Sequence, residues 1–324
     1  MATLSRRPVL WLQVWGLAAV QGSIALTWVI YNLFLPQLLA QFGFPATLTV
    51  GLLNFENLLA AVMEPLMGNF SDRTQQWLGT RFPVIAIGVI LAASLFITIP
   101  TLFVFGQGWT GAARWSLLIV LVGWSLSMAI FRSPVLSLLG RYAFATRLPQ
   151  AASILTLVGA VTGTVAPLAN NFLLRLGAPI PFAAGSLSLL IAAAALRTVS
   201  PPEPTAHATK EPAQSIAILP LIFIFGAGAG ISIGFRLMMQ TFPAILKAQS
   251  SSGGANVLLS LIFLTVAITA IPAGTFATRL GNQKAMLLGL CAMAIGLLLL
   301  LALPYPLFAG LLAVILGAAF SLVS

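Results

Sequence analysis

Long apolar segments separated by short polar stretches run through almost the whole chain. A helix that spans a bilayer needs about 20 predominantly apolar residues, and ten segments have close to that length. Glycine and proline recur inside these segments, which membrane helices tolerate. The pattern therefore predicts about ten membrane helices. They lie near residues 10–40, 46–71, 83–106, 115–141, 148–174, 178–196, 216–246, 253–278, 284–302 and 305–324.

Composition places the chain in a membrane and argues against several other classes of protein. Of the 324 residues, 60% are hydrophobic and 6% are charged, whereas a soluble domain is about 25% charged. The net charge of +10 comes from single, spaced basic residues, so it indicates membrane topology and not nucleic-acid binding. The sequence contains no Ser/His/Asp, Cys/His or metal-ligand constellation, and its one histidine, His207, lies in a polar stretch. We therefore expect neither an enzyme nor a cofactor or metal site.

Lysine and arginine are distributed unequally between alternate loops, and this bias predicts the orientation. With the amino terminus in the cytoplasm, ten of these residues lie inside and three lie outside. We expect a multi-pass protein of the plasma or inner membrane with a cytoplasmic amino terminus. The inside set is Arg6, Arg7, Arg73, Arg81, Arg141, Arg147, Arg197, Lys210, Arg279 and Lys284, and the outside set is Arg114, Arg175 and Lys247.

A single long polar stretch, residues 198–215, separates the sixth apolar segment from the seventh. It is rich in proline, which is typical of a linker, and the predicted orientation places it in the cytoplasm. The chain then divides into an amino-terminal six-helix bundle, residues 1–197, and a carboxy-terminal bundle of four helices, residues 216–324.

The two halves repeat each other. Pro36 and Pro243 occupy the same place in an apolar run and lie 207 residues apart. Two similar loops begin at Gly68 and Gly274, which lie 206 residues apart. Parallel repeats around a site near the middle of the membrane are a known transporter architecture.

These two loops carry a family resemblance. The first reads GNFSDRTQQWLGTR from Gly68 to Arg81, and the second reads GTFATRLGNQK from Gly274 to Lys284. Both resemble the motif that the major facilitator superfamily carries between its second and third helices and, in degenerate form, between its eighth and ninth. Four additional residues make the first loop similar to that of the sugar–cation symporter branch, which includes glycoside and sucrose-type transporters.

The resemblance implies an all-α membrane fold of two helical bundles, with twelve helices where this chain predicts about ten. The fifth segment, with Gly159, Gly163 and Pro167 at four-residue spacing, is similar to a glycine-proline motif of the family. The last segment resembles the first part of the fourth, so we expect that Ser324 interrupts a tenth helix and that the chain is truncated. Arg132 occurs in the fourth segment, where the sugar–cation branch usually has an acidic residue, and this departure counts against a sodium site and a sugar substrate.

Three of the five acidic residues, Glu56, Glu64 and Asp72, fall in or beside the second segment. An ionised carboxylate at membrane depth costs about 2.5 kcal/mol or more, so it is usually paired or faces water. The second and fourth segments run in the same direction, and equal depth predicts two ion pairs, Glu64–Arg132 and Asp72–Arg141. The first pair is either a coupling element or a permanent structural pair. Glu56 has no evident partner, and it is either a proton carrier or a side chain that reaches the outer interface.

Polar residues elsewhere suggest a solute cavity and a gate. At about 100° per residue, Asn54, Asn57 and Glu64 form one stripe on the second segment. The family lines its cavity with the first, fourth, seventh and tenth helices, and it places charged residues of the repeated loops in a cytoplasmic gate. The alternative role is interhelical hydrogen bonding for Gln21 and Asn32, and contact with lipid headgroups for Arg236. For the charged gate residues the alternative is topology signalling alone. The cavity candidates are Gln21, Asn32, Asn54, Asn57 and Arg236. The gate candidates are Gly68, Asp72, Arg73, Arg81, Arg141, Gly274 and Arg279.

Together these features predict a secondary active transporter that moves a small solute by alternating access of two bundles. Protons acting through Glu56 or Glu64 are the expected energy source, because the chain has no nucleotide-binding loop. The loop resemblance suggests a sugar or polyol as the solute, and the glycine-proline motif suggests an exported amphiphile. We expect a monomer in a lipid bilayer. The rival prediction is a non-transporting membrane assembly or scaffold protein on the same fold.

Overall fold

The computed structural model of the chain describes residues 9–106, 111–143, 147–201, 252–302 and 306–323, together with residues 226, 228 and 230. Throughout these ranges the regular secondary structure is helical. The long helices are α1 (Trp11–Gln41), α2 (Thr47–Leu78), α3 (Phe82–Phe105), α4 (Trp115–Ser137), α5 (Leu148–Leu176), α6 (Pro179–Val199), α7 (Ser252–Leu280), α8 (Asn282–Ala302) and α9 (Pro306–Val323). A short 3₁₀ helix, Gly111–Arg114, precedes α4, and a one-turn helix, Leu139–Tyr142, follows it.

These helices match nine of the ten predicted segments, and the remaining one, the seventh at residues 216–246, lies almost wholly outside the described residues. Eight of the described helices are long and apolar enough to cross a bilayer by length and composition. The apolar part of α9, Phe308–Val323, is shorter than these. The all-α membrane fold predicted from hydropathy is therefore confirmed.

The second helix is longer than its apolar run. It continues to Leu78, so residues 72–78, which the sequence analysis assigns to a loop, are helical. Gly79 ends the helix with a φ of 71°, a left-handed conformation that glycine adopts readily because it lacks a Cβ atom. The helix that carries the second copy of the motif, α7, ends in the same way, because it is followed by Gly281 with a φ of 93°. The predicted end near residue 71 is therefore wrong, because a helix can continue beyond the hydrophobic run that first specifies it.

The helices form two compact units. The first unit contains α1 to α4, α6 and the last turns of α5 from Asn170 onward. The second contains the rest of α5, up to Ala169, together with α7, α8 and α9. The predicted division at a linker of residues 198–215 stays a prediction, because the structure describes that stretch only as far as residue 201. Most of α5 nevertheless groups with helices that follow it by about 100 residues in the chain.

In the first unit, α1 packs against α6, α3 packs against α4 and α6, and α2 packs against α4. The start of α1, the start of α3 and the ends of α4 and α6 lie on one side of the unit, as the predicted alternation of loops requires. Three hydrogen bonds on this side join Gln13 Nε2 to the Val199 carbonyl (2.9 Å), Tyr142 Oη to Ser200 Oγ (2.7 Å), and Arg81 Nη1 to Ser137 Oγ (2.6 Å).

The second unit is built on close contacts at small residues, as is common between membrane helices. A Cβ atom at Gly163 of α5 would lie 2.5 Å from Cδ1 of Phe263 on α7. A Cβ atom at Gly317 of α9 would lie 2.6 Å from the carbonyl oxygen of Ile262. Ile262 is itself fully buried, with Leu316 among its core neighbours. Gly163 and Gly317 therefore allow approaches that a larger residue would prevent.

Candidate functional site

A carboxyl group lies in the interior of the first unit. Glu56 on α2 is 1% exposed, and the hydroxyl of Tyr31 on α1 donates to its Oε1 atom at 2.5 Å. Tyr31 is completely buried. The other carboxyl oxygen, Oε2, is also buried and has no hydrogen-bond partner in the part of the chain that the structure describes. The alternative that Glu56 reaches the outer interface is therefore wrong.

Aromatic rings form the wall beside this carboxyl group. The ring of Tyr31 lies against that of Trp124 on α4, with 4.4 Å between centroids. Trp28 contacts both rings, and Phe96 of α3 stacks on Trp124 at 5.1 Å. Burial of a charged group without compensating donors is costly, and in the described structure a single phenolic hydroxyl donates to Glu56. The site thus combines a buried acid, one donor and an aromatic cluster formed by Trp28, Tyr31, Phe96 and Trp124.

The predicted pair between the second and fourth helices is confirmed. Nη1 of Arg132 lies 3.1 Å from Oε1 of Glu64 and donates a hydrogen bond to it. The two side chains are 38% and 31% exposed, respectively. Because both are about one third exposed, solvent screens this pair more than a fully buried one. Glu64 lies eight residues, or about 12 Å of helix, beyond Glu56 along α2. Its pair with Arg132 joins α2 to α4 at that level.

A second set of polar contacts lies at one end of the first unit. Oδ1 of Asp72, near the end of α2, lies 2.7 Å from Nη2 of Arg81 in an ion pair, and Nη1 of Arg81 donates to Ser137 at the end of α4. Arg81 therefore joins the ends of two helices. The structure shows Arg81 as a partner of Asp72, which the sequence analysis did not propose; the Asp72–Arg141 pair stays a prediction. Of the other charged gate candidates, Arg73 and Arg279 are exposed.

The two motif glycines lie inside helices and not in loops. A Cβ atom at Gly68 of α2 would lie 2.9 Å from Oγ of Ser133 on α4. A Cβ atom at Gly274 of α7 would lie 2.8 Å from the carbonyl oxygen of Pro149 and from Oγ of Ser153 on α5. Each glycine therefore permits its helix to pack closely on a neighbour within one unit. This packing is a structural reason for both glycines, whether or not they also belong to a gate.

Four of the five proposed cavity candidates lie in the described part of the chain. Asn32, Asn54 and Asn57 are exposed, and the amides of Asn32 and Asn57 donate to carbonyl groups of their own helices. Gln21 is half-buried, and its Oε1 atom has no hydrogen-bond partner among the described residues. Arg236 lies outside the described residues.

Sequence reasoning missed the role of two aromatic residues. Tyr31 belongs to the polar positions of the first segment, but its contact with Glu56 depends on how α1 is rotated. Trp124, although followed by Ser125, has no sequence feature that distinguishes it from other interior tryptophans. A signal was nevertheless available, because a buried glutamate needs a donor and Tyr31 has a hydroxyl in a neighbouring span.

No group of three His, Cys, Asp or Glu side chains that could hold a metal ion occurs in the described ranges.

Comparisons with known proteins agree on the fold. A family model described as Major Facilitator Superfamily matches residues 17–324. The chain is similar in structure to the proton:xylose symporter XylE bound to 6-bromo-6-deoxy-D-glucose, with 14% identity, a TM-score of 0.67 and coverage of 97% of this chain and 79% of that one. It is also similar to a bacterial homologue of the human lysosomal transporter Spinster in an inward-facing, unoccupied conformation, with 16% identity, a TM-score of 0.53 and coverage of 98% and 74%. At these identities the two structural likenesses establish the fold alone. Among curated proteins, none matches the sequence significantly.

Proposed function

The chain belongs to the major facilitator superfamily, a family of membrane transporters and not of enzymes, and from that premise we propose that it is a proton-coupled secondary transporter. In this proposal a small solute crosses the membrane by alternating access of two bundles. The positive-inside bias of the loops supports a cytoplasmic amino terminus. The resemblance of the first motif to the sugar–cation branch supports a sugar or polyol as solute.

Burial of Glu56 is the observation that carries the proton-coupling part of the proposal. A permanently ionised carboxylate is expensive at this depth, and the described structure supplies one hydroxyl donor to it. A carboxyl group that takes up and releases a proton as water reaches it is suited to coupling. Tyr31 can donate to Oε1 in both protonation states, which leaves Oε2 as the atom that carries the proton.

The pair of Glu64 and Arg132 has a different part in this proposal. Its two charges satisfy each other at 3.1 Å, so a proton on Glu64 would have to compete with a guanidinium group. We assign this pair mainly to holding α2 against α4, with coupling as its secondary role. The network of Asp72, Arg81 and Ser137 is our candidate for the cytoplasmic gate, because it ties together the ends of two helices and the start of a third.

Proteoliposomes that enclose a pH-sensitive dye test the proposal. Sucrose, xylose, glucose and sorbitol are added one at a time, and solute-dependent proton entry is recorded together with uptake of the radiolabelled solute. We expect one of these solutes to move protons, and we expect Glu56→Gln to reduce proton entry by at least about tenfold while solute exchange without a gradient persists. Glu211→Gln makes the same charge change in the predicted linker and should behave like the unmodified chain.

Two outcomes would count against this function. Undiminished, pH-dependent uptake by the Glu56→Gln variant would remove Glu56 from coupling. The absence of flux for all four solutes, combined with stable recovery of the chain in a larger membrane complex, would favour the scaffold protein.

A further inference from the structure

A groove on the first unit lies between α3 and α6 and encloses about 430 Å³. This volume is within the range of roughly 300–1,000 Å³ that is typical of sites for small molecules. On one side the lining extends from Thr80, just before α3, to Ile90 of α3, and along α6 it extends from Leu190 to Arg197. Alanine, isoleucine, valine and leucine supply most of it. Nothing in the transport proposal uses this groove.

Polar and apolar groups are separated along the length of the groove. Arg197, in the last turn of α6, and Thr80, just before α3, line one end. Ile90 and Leu190 line the other end and are exposed. The lining on α3, from Phe82 to Ile90, extends about 12 Å, and one leaflet contributes about half of the hydrocarbon thickness of about 30 Å. The groove therefore covers most of one lipid leaflet, with its charged lining residue at the membrane surface.

The charge of Arg197 is not matched by a carboxylate in the described structure. Its guanidinium group lies over the ring of Phe82, 4.6 Å from the centroid. The three described carboxylates contact Tyr31, Arg132 and Arg81 instead. Arg197 is also exposed, so an anion can reach it. The cation–π contact holds the guanidinium group beside the mouth of the groove.

We propose that this groove binds an anionic phospholipid, with an acyl chain between α3 and α6 and its phosphate group on Arg197. A guanidinium group recognises phosphate through paired hydrogen bonds, and apolar side chains along the groove match the acyl chain. The net negative charge of the lipid complements Arg197, which contacts no carboxylate among the described residues, whereas a zwitterionic lipid supplies the same tail without that charge. With the orientation proposed above, the site faces the cytoplasmic leaflet, where positive residues meet a negative lipid surface.

Native mass spectrometry of the full chain tests this proposal. The protein is equilibrated in detergent with equal amounts of phosphatidylglycerol and phosphatidylcholine, and the bound lipids are counted. We expect one phosphatidylglycerol to be retained preferentially. Arg197→Gln should lower its occupancy about fivefold, which corresponds to about 1 kcal/mol, with little change for phosphatidylcholine. Arg175→Gln, at another exposed arginine in the last turn of α5, should leave both occupancies unchanged.

A second variant tests the acyl-chain part of the site without changing any charge. Ala194 lines the groove and is exposed, so Ala194→Phe should fill the groove and reduce the occupancy of both lipids. Equal loss of phosphatidylglycerol in the Arg197→Gln and Arg175→Gln variants would overturn the proposal, since it would indicate attraction to overall charge. Unchanged lipid occupancy in Ala194→Phe would also overturn it. Dissociation of a dimer by Ala194→Phe would show instead that the groove binds a second copy of the chain.

Discussion

The hydrogen bond between Tyr31 and Glu56 allows a quantitative test of the interior site. Tyr31→Phe removes the hydroxyl donor and preserves the ring, so the contact with Trp124 can remain. Glu56 would then lose the one described donor to Oε1, while Oε2 already has no partner among the described residues. Both side chains are at least 99% buried, so the vacated bond is not readily replaced by solvent. We expect a loss of about 1–3 kcal/mol in the free energy of unfolding.

A double-mutant cycle separates this bond from other effects of the substitutions. Glu56→Leu alone should also destabilise the chain by about 1–3 kcal/mol, because it leaves the buried hydroxyl of Tyr31 unsatisfied. In the double variant both partners are apolar, so neither group is left unpaired. Its loss in the free energy of unfolding should therefore be smaller than the sum of the two single losses. The cycle therefore isolates the coupling energy between these two residues.

The free energy of unfolding is measured by denaturant titration in detergent, with tryptophan fluorescence as the signal. A coupling energy near 1 kcal/mol is expected for a bond between neutral groups, and about 1.5–3 kcal/mol for a bond to an ionised carboxylate. The measurement thus also reports the charge of Glu56 in the folded state. A cost below about 0.5 kcal/mol for Tyr31→Phe in the unmodified background, or an equal cost in the unmodified and Glu56→Leu backgrounds, would refute the reasoning.

Two further predictions concern helix packing and the ion pair, and both are measured as changes in thermal unfolding in detergent. Gly163→Ala should destabilise the chain by about 1–3 kcal/mol, because the new Cβ atom would lie 2.5 Å from Phe263. Gly159→Ala, one turn away with no atom within 4 Å of its added Cβ, should be neutral or stabilising by up to about 1 kcal/mol; equal effects at the two sites would contradict the close contact. A double-mutant cycle between Glu64→Gln and Arg132→Gln should give a coupling energy of about 0.2–1 kcal/mol, because both side chains are about one third exposed; a value near zero would contradict the pair.

Properties that follow from depth and chain direction could be predicted from the sequence. Hydropathy identifies the spans, since each must cover the same membrane thickness. Glu64 and Arg132 lie on segments that run in the same direction and at similar depth, so their pairing follows from residue counting. The predicted pairing is confirmed at 3.1 Å. Counting residues gives the depth of each side chain along the membrane normal. It therefore predicts a contact correctly when that contact depends mainly on depth.

Properties that depend on helix rotation and on neighbours distant in sequence could not be predicted in this way. The polar residues of α1 are not confined to one face, so its sequence does not indicate which face Tyr31 presents to Glu56. The continuation of α2 to Leu78 has no apolar periodicity, and Gly79 specifies its end. The grouping of residues 148–169 with the second unit is likewise not visible in chain order, because it depends on contacts such as that between Gly163 and Phe263.

The second helix shows how polar contacts can determine the arrangement of a membrane bundle. Four residues of α2 are buried, Leu52, Glu56, Ser71 and Thr74, and only the first of them is apolar. Apolar side chains gain little from leaving lipid for a protein interior, so hydrogen bonds and ion pairs contribute strongly to helix association. Along α2 the three acidic side chains occur at intervals of eight residues and contact Tyr31, Arg132 and Arg81 in turn. A proton on Glu56 would alter the first of these contacts and leave the other two unchanged. In the proposed mechanism, such a change acts in the first third of α2 while the contacts of Glu64 and Asp72 hold the rest of the helix.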